Sequence, residues 1–475
     1  MSRQSTLMKN TAIILFGKVC TQLISYLLLP LYTTVLSTEE YGTVDLLTTY
    51  VTLIAPVVTL QMEAAVFRFL IDVRGDKVAV SRIVTNSLAC LLGTLGIFLA
   101  AYGALNCLIA YAYALPFAAC VIANALLAVV LQMSRGLGDN VTYAAGSAVS
   151  GILTIVFNIL LIVVFPLGVT GMLWATALAQ LTGAAFVAIK IRVFRYIDKK
   201  QIDKAVIREM SRYSLPLLPN SLSWWIISVS DRTLVTFFIG VDANGILAVA
   251  TKLAAIVVNV FGIFNLSWTE SVAVHIRDRD GAAYISEVTN QSFRLFGSCG
   301  LVLIMGCAVF FRYFVGPDFQ SAYDLIPLLV IGSVLNVLQS LYGIIYIGLK
   351  DTRRVSRSSA VAAAINLVID LLLIKGIGLY AAPISTICAM LFLSIYRYMD
   401  VNRKISIRMS AKQLAVLLAG YAVTYAIYLQ RKTAMSCIWL AATVAFCAVW
   451  NRAMLRDGVQ LVKEKLRSKN AQKQK

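Results

Sequence analysis

The residues of this sequence with the most chemistry in them are ionisable and polar side chains set inside long apolar runs. Lys18, Gln22 and Ser25 follow i, i+4, i+7, which puts them on one helical face. Asp45, Thr48, Thr52, Thr59 and Glu63 form a second stripe, and Ser221, Trp225, Ser228 and Arg232, with Asp231 beside them, a third. A fourth carries Lys252, Asn259 and Glu270. The spacings Asp45–Glu63 and Lys252–Glu270 are both 18 residues, five turns of an uninterrupted α-helix. A charge inside a membrane helix costs ~2.5–3.5 kcal/mol on insertion scales, so it normally faces a polar interior or a partner. The four stripes therefore imply a water-accessible cavity. Glu63, Asp231, Glu270 and Asp45 are its candidates for coupling an ion or forming charge pairs. Trp224, Trp225 and Trp268 have the flat apolar rings that stack on sugars.

Each stripe also has a purely structural reading. Asp231 and Arg232 can form a stabilising ion pair, or one of them can pair with Lys252 at similar depth. Glu63 and Arg68, five residues apart, can sit at an interface or snorkel, and Asp45 lies near the outer end of its run. Asp370 reads equally well as structural, and the tryptophans as packing. Lys18 is harder to explain that way, being deep in its run with no acid within a turn. The single histidine, His275, sits at the end of an apolar run and reads as interfacial rather than as a proton relay. There is no P-loop, GxGxxG or HExxH, and one histidine supplies no metal site. The nine cysteines lie mostly in apolar runs without a CxxC, as small buried hydrophobes. No catalytic constellation and no cofactor site emerge.

The elements that carry these stripes follow from composition. Of 475 residues, 59% are hydrophobic and 14% charged, against about 25% charged in a soluble domain. That excludes a soluble enzyme, a disordered chain and a disulfide scaffold. Apolar runs at roughly 10–36, 42–70, 83–106, 112–135, 141–165, 170–194, 214–240, 245–276, 290–315, 323–349, 357–375, 379–400, 411–430 and 434–454 predict an all-α integral membrane protein of 14 transmembrane helices. With the N-terminus inside, cytoplasmic segments hold 33 Lys and Arg and external loops 4 (Arg312, Lys375, Arg431, Lys432), a bias that places both termini in the cytoplasm. Arg3 and Lys9 precede the first run without a cleavage motif, so that run serves as its own insertion signal. The net charge of +19 sits in short loops and suits an anionic leaflet, not a nucleic acid.

Two parts of the chain also resemble each other. Gly136–Asn140 (GLGDN) matches Gly348–Thr352 (GLKDT), Asn158 matches Asn366, and Leu167–Thr176 matches Ile377–Thr386, at offsets of 212, 208 and 210. This predicts two six-helix lobes in parallel repeat around a central cavity. The expected organisation is an N-lobe at 1–195, a basic amphipathic cytoplasmic linker at 196–213, a C-lobe at 214–401, two extra helices at 402–455 and a basic tail at 456–475.

The segments Leu27–Leu46 (LLLPLYTTVLSTEEYGTVDL), Ser230–Gly240 (SDRTLVTFFIG), Asn244–Leu253 (NGILAVATKL) and the pair GLKDT and NLVIDLLLI resemble the polysaccharide-repeat flippases, the Wzx type, of the MOP superfamily. That resemblance implies alternating access and a lipid-linked oligosaccharide on an undecaprenyl-pyrophosphate carrier. It also implies that Lys18, Arg232 and Lys252 meet the pyrophosphate. The sequence lacks the run of several Arg found in the first two helices of the relative that flips lipid II, which argues against an undecorated peptidoglycan precursor. The expected setting is the cytoplasmic membrane, among its lipids, with a polysaccharide polymerase and glycosyltransferases as partners. Transport would draw on a proton or sodium gradient or on the membrane potential. The alternatives are a multidrug/cation antiporter of the same superfamily, which gives weight to the four acids, and a non-transporting membrane scaffold, which has no need of intramembrane charge.

Overall fold

The computed structural model describes residues 26–454 and 456, with 277 and 350 excepted; the side chains of 219–228, 266, 267, 270, 273 and 352 lie outside that description. Every regular element among the described residues is helical. By contacts the chain divides into two compact units, Met1–Ala248 and Val249–Lys475.

The first unit holds α1 (Leu29–Val35), α2 (Thr38–Thr59), α3 (Met62–Asp72), α4 (Lys77–Ile109), α5 (Ala114–Gly136), α6 (Asn140–Asn158), α7 (Gly168–Lys190), α8 (Lys204–Ser214), α9 (Leu218–Phe238) and the first turns of α10 (Val241–His275). Polar residues at the ends of apolar runs start these helices. Ser37 and Glu40 make a reciprocal capping box at α2, with bonds of 3.1 and 2.9 Å. Asp76 caps α4 and Asp139 caps α6.

The 42–70 run is not one helix. It breaks between α2 and α3 at Leu60 and Gln61, both left-handed with φ of 52° and 56°. Pro56, inside α2, has no N–H to give, and its carbonyl accepts from Gln61 across the break at 3.1 Å. The break resets the helical phase, so the five-turn alignment of Asp45 with Glu63 does not hold. The α3 segment is pinned separately. Arg74 caps the end of α5 through Gly136 O (2.6 Å) and Arg135 O (2.9 Å), and Arg135 lies over the rings of Phe67 and Tyr143. Arg68 pairs with Asp72 one turn on, at 2.5 Å.

The amphipathic linker helix forms as α8, with Met210 and Ser214 buried and Lys204, Arg208 and Arg212 exposed. Its approach is tied to α4: Ser81 and Thr85 donate to Tyr196 O, Asn86 bonds Gln201 O and the Asp203 amide, and Arg82 pairs with Asp203.

The second unit holds the rest of α10, then α11 (Gly281–Phe314), α12 (Ala322–Gly348), α13 (Thr352–Ile377), α14 (Ala381–Asn402), α15 (Ala411–Leu429) and α16 (Thr433–Trp450). In this unit α12 is the core, 61% of its apolar window being buried against 11% for α16. Arg397, counted from sequence among the inner loop charges, is instead only 2% exposed. Its guanidinium donates to Gln339 Oε1 (2.5 Å), Gln339 O (3.2 Å), Ser358, Ser359 and Val355 O, tying α14 to α12 and α13. One turn on, Asp400 accepts from Tyr346 (2.8 Å) and pairs with Arg354.

Eleven helical stretches among the described residues are long and apolar enough to cross a membrane, and one of them, 353–402, contains both α13 and α14. This is a multi-pass, all-helical membrane protein. The matching sequence segments adopt matching local geometry: α5 and α12 end at Gly136 and Gly348, and α6 and α13 begin at Asn140 and Thr352. Gly168 and Gly378 both take positive φ, 55° and 57°, at the entry to the next helix, a conformation that a Cβ penalises.

Candidate functional site

Arg232 on α9 and Asp45 on α2 meet at 2.9 Å, each side chain about one-fifth exposed (22% and 19%). The same guanidinium donates to Thr49 Oγ1 at 3.3 Å, and the neighbouring Thr233 hydroxyl lies 3.4 Å from that of Tyr50. One turn before Asp45 on α2, the Asn244 amide on α10 donates to Gly42 O at 2.9 Å and reaches toward Asp45 Oδ2 at 3.5 Å. The helices come this close because neither carries a Cβ at the crossing. A Cβ on Gly42 would lie 2.0 Å from Val241 O, and one on Gly245 2.0 Å from Thr38 O. The result is a charge pair inside a dense helix crossing, locked on one side by backbone-to-backbone contact.

Arg232 therefore takes a different partner from the one its sequence neighbour suggests. Adjacent residues on a helix point about 100° apart, and it is Asp45, from another helix, that faces the guanidinium. Asp45, which read as interfacial, is the acid of the pair. Thr49, one turn on from Asp45, shares the guanidinium with it. The hydroxyls of Thr48, Thr52 and Thr59 turn back onto carbonyls of their own helix, at 2.8, 2.7 and 3.3 Å. Asp231 and Lys252 are half-buried, the latter in the second unit. Glu63 sits in the first turn of α3, partly buried, with Oε2 lacking a hydrogen-bond partner among the described residues. Trp268 is 2% exposed and stacked on Phe264 at 6.2 Å, so its ring is part of an aromatic cluster with Phe261 and Phe296. His275 is half-exposed and bonds Asp278 at 2.7 Å, in keeping with an interfacial position. Lys18 and the side chains of Trp224, Trp225 and Glu270 lie outside the described residues.

Sequence reasoning missed Thr49, Tyr50, Gly42, Asn244 and Gly245. The available signal was the small residue three positions before an acid, Gly42 before Asp45, matched by Asn244–Gly245 at the start of another apolar run. Close approach of this kind makes a polar pair in a membrane helix affordable, because interhelical hydrogen bonds replace lost water.

A family model described as "Polysaccharide biosynthesis protein" matches residues 7–269, more than half of the chain. No curated protein sequence matches it. Among solved structures, the lipid II flippase MurJ in an inward closed conformation is similar at TM-score 0.66 and 14% identity, over 94% of this chain and 100% of that one. An inward-facing multidrug resistance MATE family transporter of the MOP superfamily is similar at TM-score 0.62 and 15% identity, over 82% and 95%. A MOP superfamily transporter from Pyrococcus furiosus, described as having a binding pocket of reversed polarity, is similar at TM-score 0.53 and 15% identity, over 84% and 95%. The chain belongs to the polysaccharide biosynthesis protein family and is built on the fold of the MOP-superfamily transporters.

Proposed function

We propose that the protein is a flippase that moves an undecaprenyl-pyrophosphate-linked oligosaccharide repeat from the inner to the outer leaflet of the cytoplasmic membrane. It works by alternating access between lobes at 1–195 and 214–401, with both termini cytoplasmic. The observation that carries this reading is Arg232 in a member of this family, held in an apolar helix by Asp45 and Thr49 alone of its described partners.

The chemistry follows from charge. A guanidinium paired with one carboxylate can be drawn away by a stronger anion, and a pyrophosphate bearing about −2 is one. Arg232 is then both a latch and a ligand: with the site empty it closes α9 onto α2, and with cargo bound it turns to the pyrophosphate. The resemblance adds Lys18 and Lys252 as further candidate ligands of the pyrophosphate. Moving the anionic head outward across an inside-negative potential releases ~2.3 kcal/mol per charge per 100 mV, which drives transport without ATP. Asp45, once released, is a carboxylate in need of a cation, and a proton or sodium ion from the gradient can resupply it until Arg232 returns. The repeat is made by glycosyltransferases and consumed by a polymerase on opposite sides of the membrane.

A second reading, multidrug/cation antiport, draws on the similarity to MATE transporters and makes Asp45 the cation site. The deciding experiment deletes the gene in its host and measures lipid-linked repeat on the inner leaflet. Accumulation, reversed by the wild-type gene and not by Arg232→Ala, supports the flippase; no accumulation, with sensitivity to cationic drugs, supports the antiporter.

A further inference from the structure

We infer that the second unit carries a separate site for the phosphate-bearing head of a lipid, in a cavity of about 590 Å³ where α11 and α15 end and α12 and α16 begin. Arg312, Tyr313, Gln320, Tyr323, Arg431 and Thr433 supply its polar lining, with an apolar floor that includes Val309 and Phe311. A cavity of this size holds a phosphate with one or two sugars or a glycerol.

Its walls are fixed in place. Tyr323 and Tyr428 stack at 4.0 Å, and each hydroxyl donates to the other's backbone carbonyl, at 3.2 and 2.9 Å. Arg431 lies over the Tyr323 ring at 5.2 Å and is held by Asp324 through a single nitrogen, at 2.6 and 2.8 Å, which leaves the other two nitrogens of the guanidinium outside that pair. Its backbone takes φ of 52°, a left-handed conformation that a non-glycine residue holds only when its surroundings enforce it. Arg312 is exposed and has no acid paired with it among the described residues. Beside it, Tyr313 is 78% exposed, an open ring of the kind sugars stack on.

Charge placement gives the cavity its meaning, and here the inference rests on the sidedness proposed above. Loops on the translocated side hold four basic residues against 33 inside, because Lys and Arg there oppose insertion. Two of those four, Arg312 and Arg431, line this one cavity, with Lys432 next to Arg431 in the chain, and Asp324 offsets them only in part through its pair with Arg431. A cluster placed against that bias at the membrane boundary, half apolar and half cationic, fits an anionic lipid head in the outer leaflet. The head is either that of a bilayer phospholipid or the pyrophosphate of the cargo on its release.

The test uses the full chain in nanodiscs of phosphatidylcholine and titrates it with undecaprenyl pyrophosphate or with phosphatidylglycerol, reading the shift in melting temperature. Arg312→Gln, chosen because Arg312 has no acid partner to orphan, should melt as wild type without lipid and bind about tenfold more weakly. Loss with the pyrophosphate alone assigns the site to cargo, and loss with both to anionic lipid in general. Equal titrations of wild type and Arg312→Gln with both lipids would overturn the inference. A flipping assay on the same preparations separates this outcome from failure of the flippase reading, since binding and translocation are read independently.

Discussion

If Arg232 and Asp45 form a latch, removing either charge should cost stability, and removing both should cost less than the two losses added together. At a charge separation of ~4 Å and an effective dielectric near 20, the pair attracts by about 4 kcal/mol before desolvation is counted. Exposed pairs retain 0.2–1 kcal/mol of such a figure, whereas orphaning one partner of a fully buried pair costs about 3–5 kcal/mol. With each side chain about one-fifth exposed, this pair lies between those limits. Arg232→Gln and Asp45→Asn should each cost about 2 kcal/mol, and the double variant clearly less than their sum. A double-mutant cycle on the purified protein, read as thermal denaturation in detergent, should return a coupling of about 1–2 kcal/mol. Asp231→Asn with Arg232→Gln is the control, and it should couple weakly, because Asp45 is the acid facing the guanidinium. Additivity of the Asp45 and Arg232 variants within ~0.5 kcal/mol, or stronger coupling to Asp231, would refute the latch.

Further outcomes follow from the same geometry. Gly42→Ala or Gly245→Ala places a Cβ about 2 Å from a facing carbonyl, so the helices must part; each should cost ~1–3 kcal/mol and open the buried position 243 to a thiol reagent after Ala243→Cys. Arg397→Lys should destabilise nearly as much as Arg397→Met, by several kcal/mol, because one ammonium cannot span the Gln339, Ser358, Ser359 and Val355 acceptors; chymotrypsin resistance of the C-terminal half checks it. The Arg82 guanidinium holds the Asp203 carboxyl below its usual range. Its contribution to linker docking is therefore present above the ordinary Asp value of about 3.9 and lost as pH falls through the lowered folded value. Protease cleavage at Lys199–Lys204 should rise on acidification, and Arg82→Gln should move that rise to higher pH.

The all-helical, multi-pass character was legible because lipid imposes a length, an apolarity and a helical backbone on every crossing, whereas the helix starts at Ser37, Asp76 and Asp139 were passed over. The matched segments share one local feature, since Gly168 and Gly378 both take positive φ at the entry to a helix. The pairing of Arg232 was not legible. A helical wheel ranks partners along one helix, whereas Asp45 is 187 positions away and meets Arg232 from another helix. The break at Leu60–Gln61 was equally hidden: the run TLQM contains neither Gly nor Asn, the residues that usually announce a left-handed turn. Arg397 read as a loop charge because its acceptors, a Gln, two Ser and backbone carbonyls, are neutral and spread over three helices.

The most direct test of the central claim is reconstitution of the purified protein in liposomes that carry the undecaprenyl-pyrophosphate-linked repeat in the leaflet opposite the assay side. Translocation is read as growing access of the sugar to a membrane-impermeant glycosidase under an imposed potential. The account predicts time-dependent access with wild type, reversal of direction with reversal of the potential, and no access above empty liposomes with Arg232→Ala. Equal access in protein-free liposomes and with wild type, in preparations whose protein is folded, would contradict it.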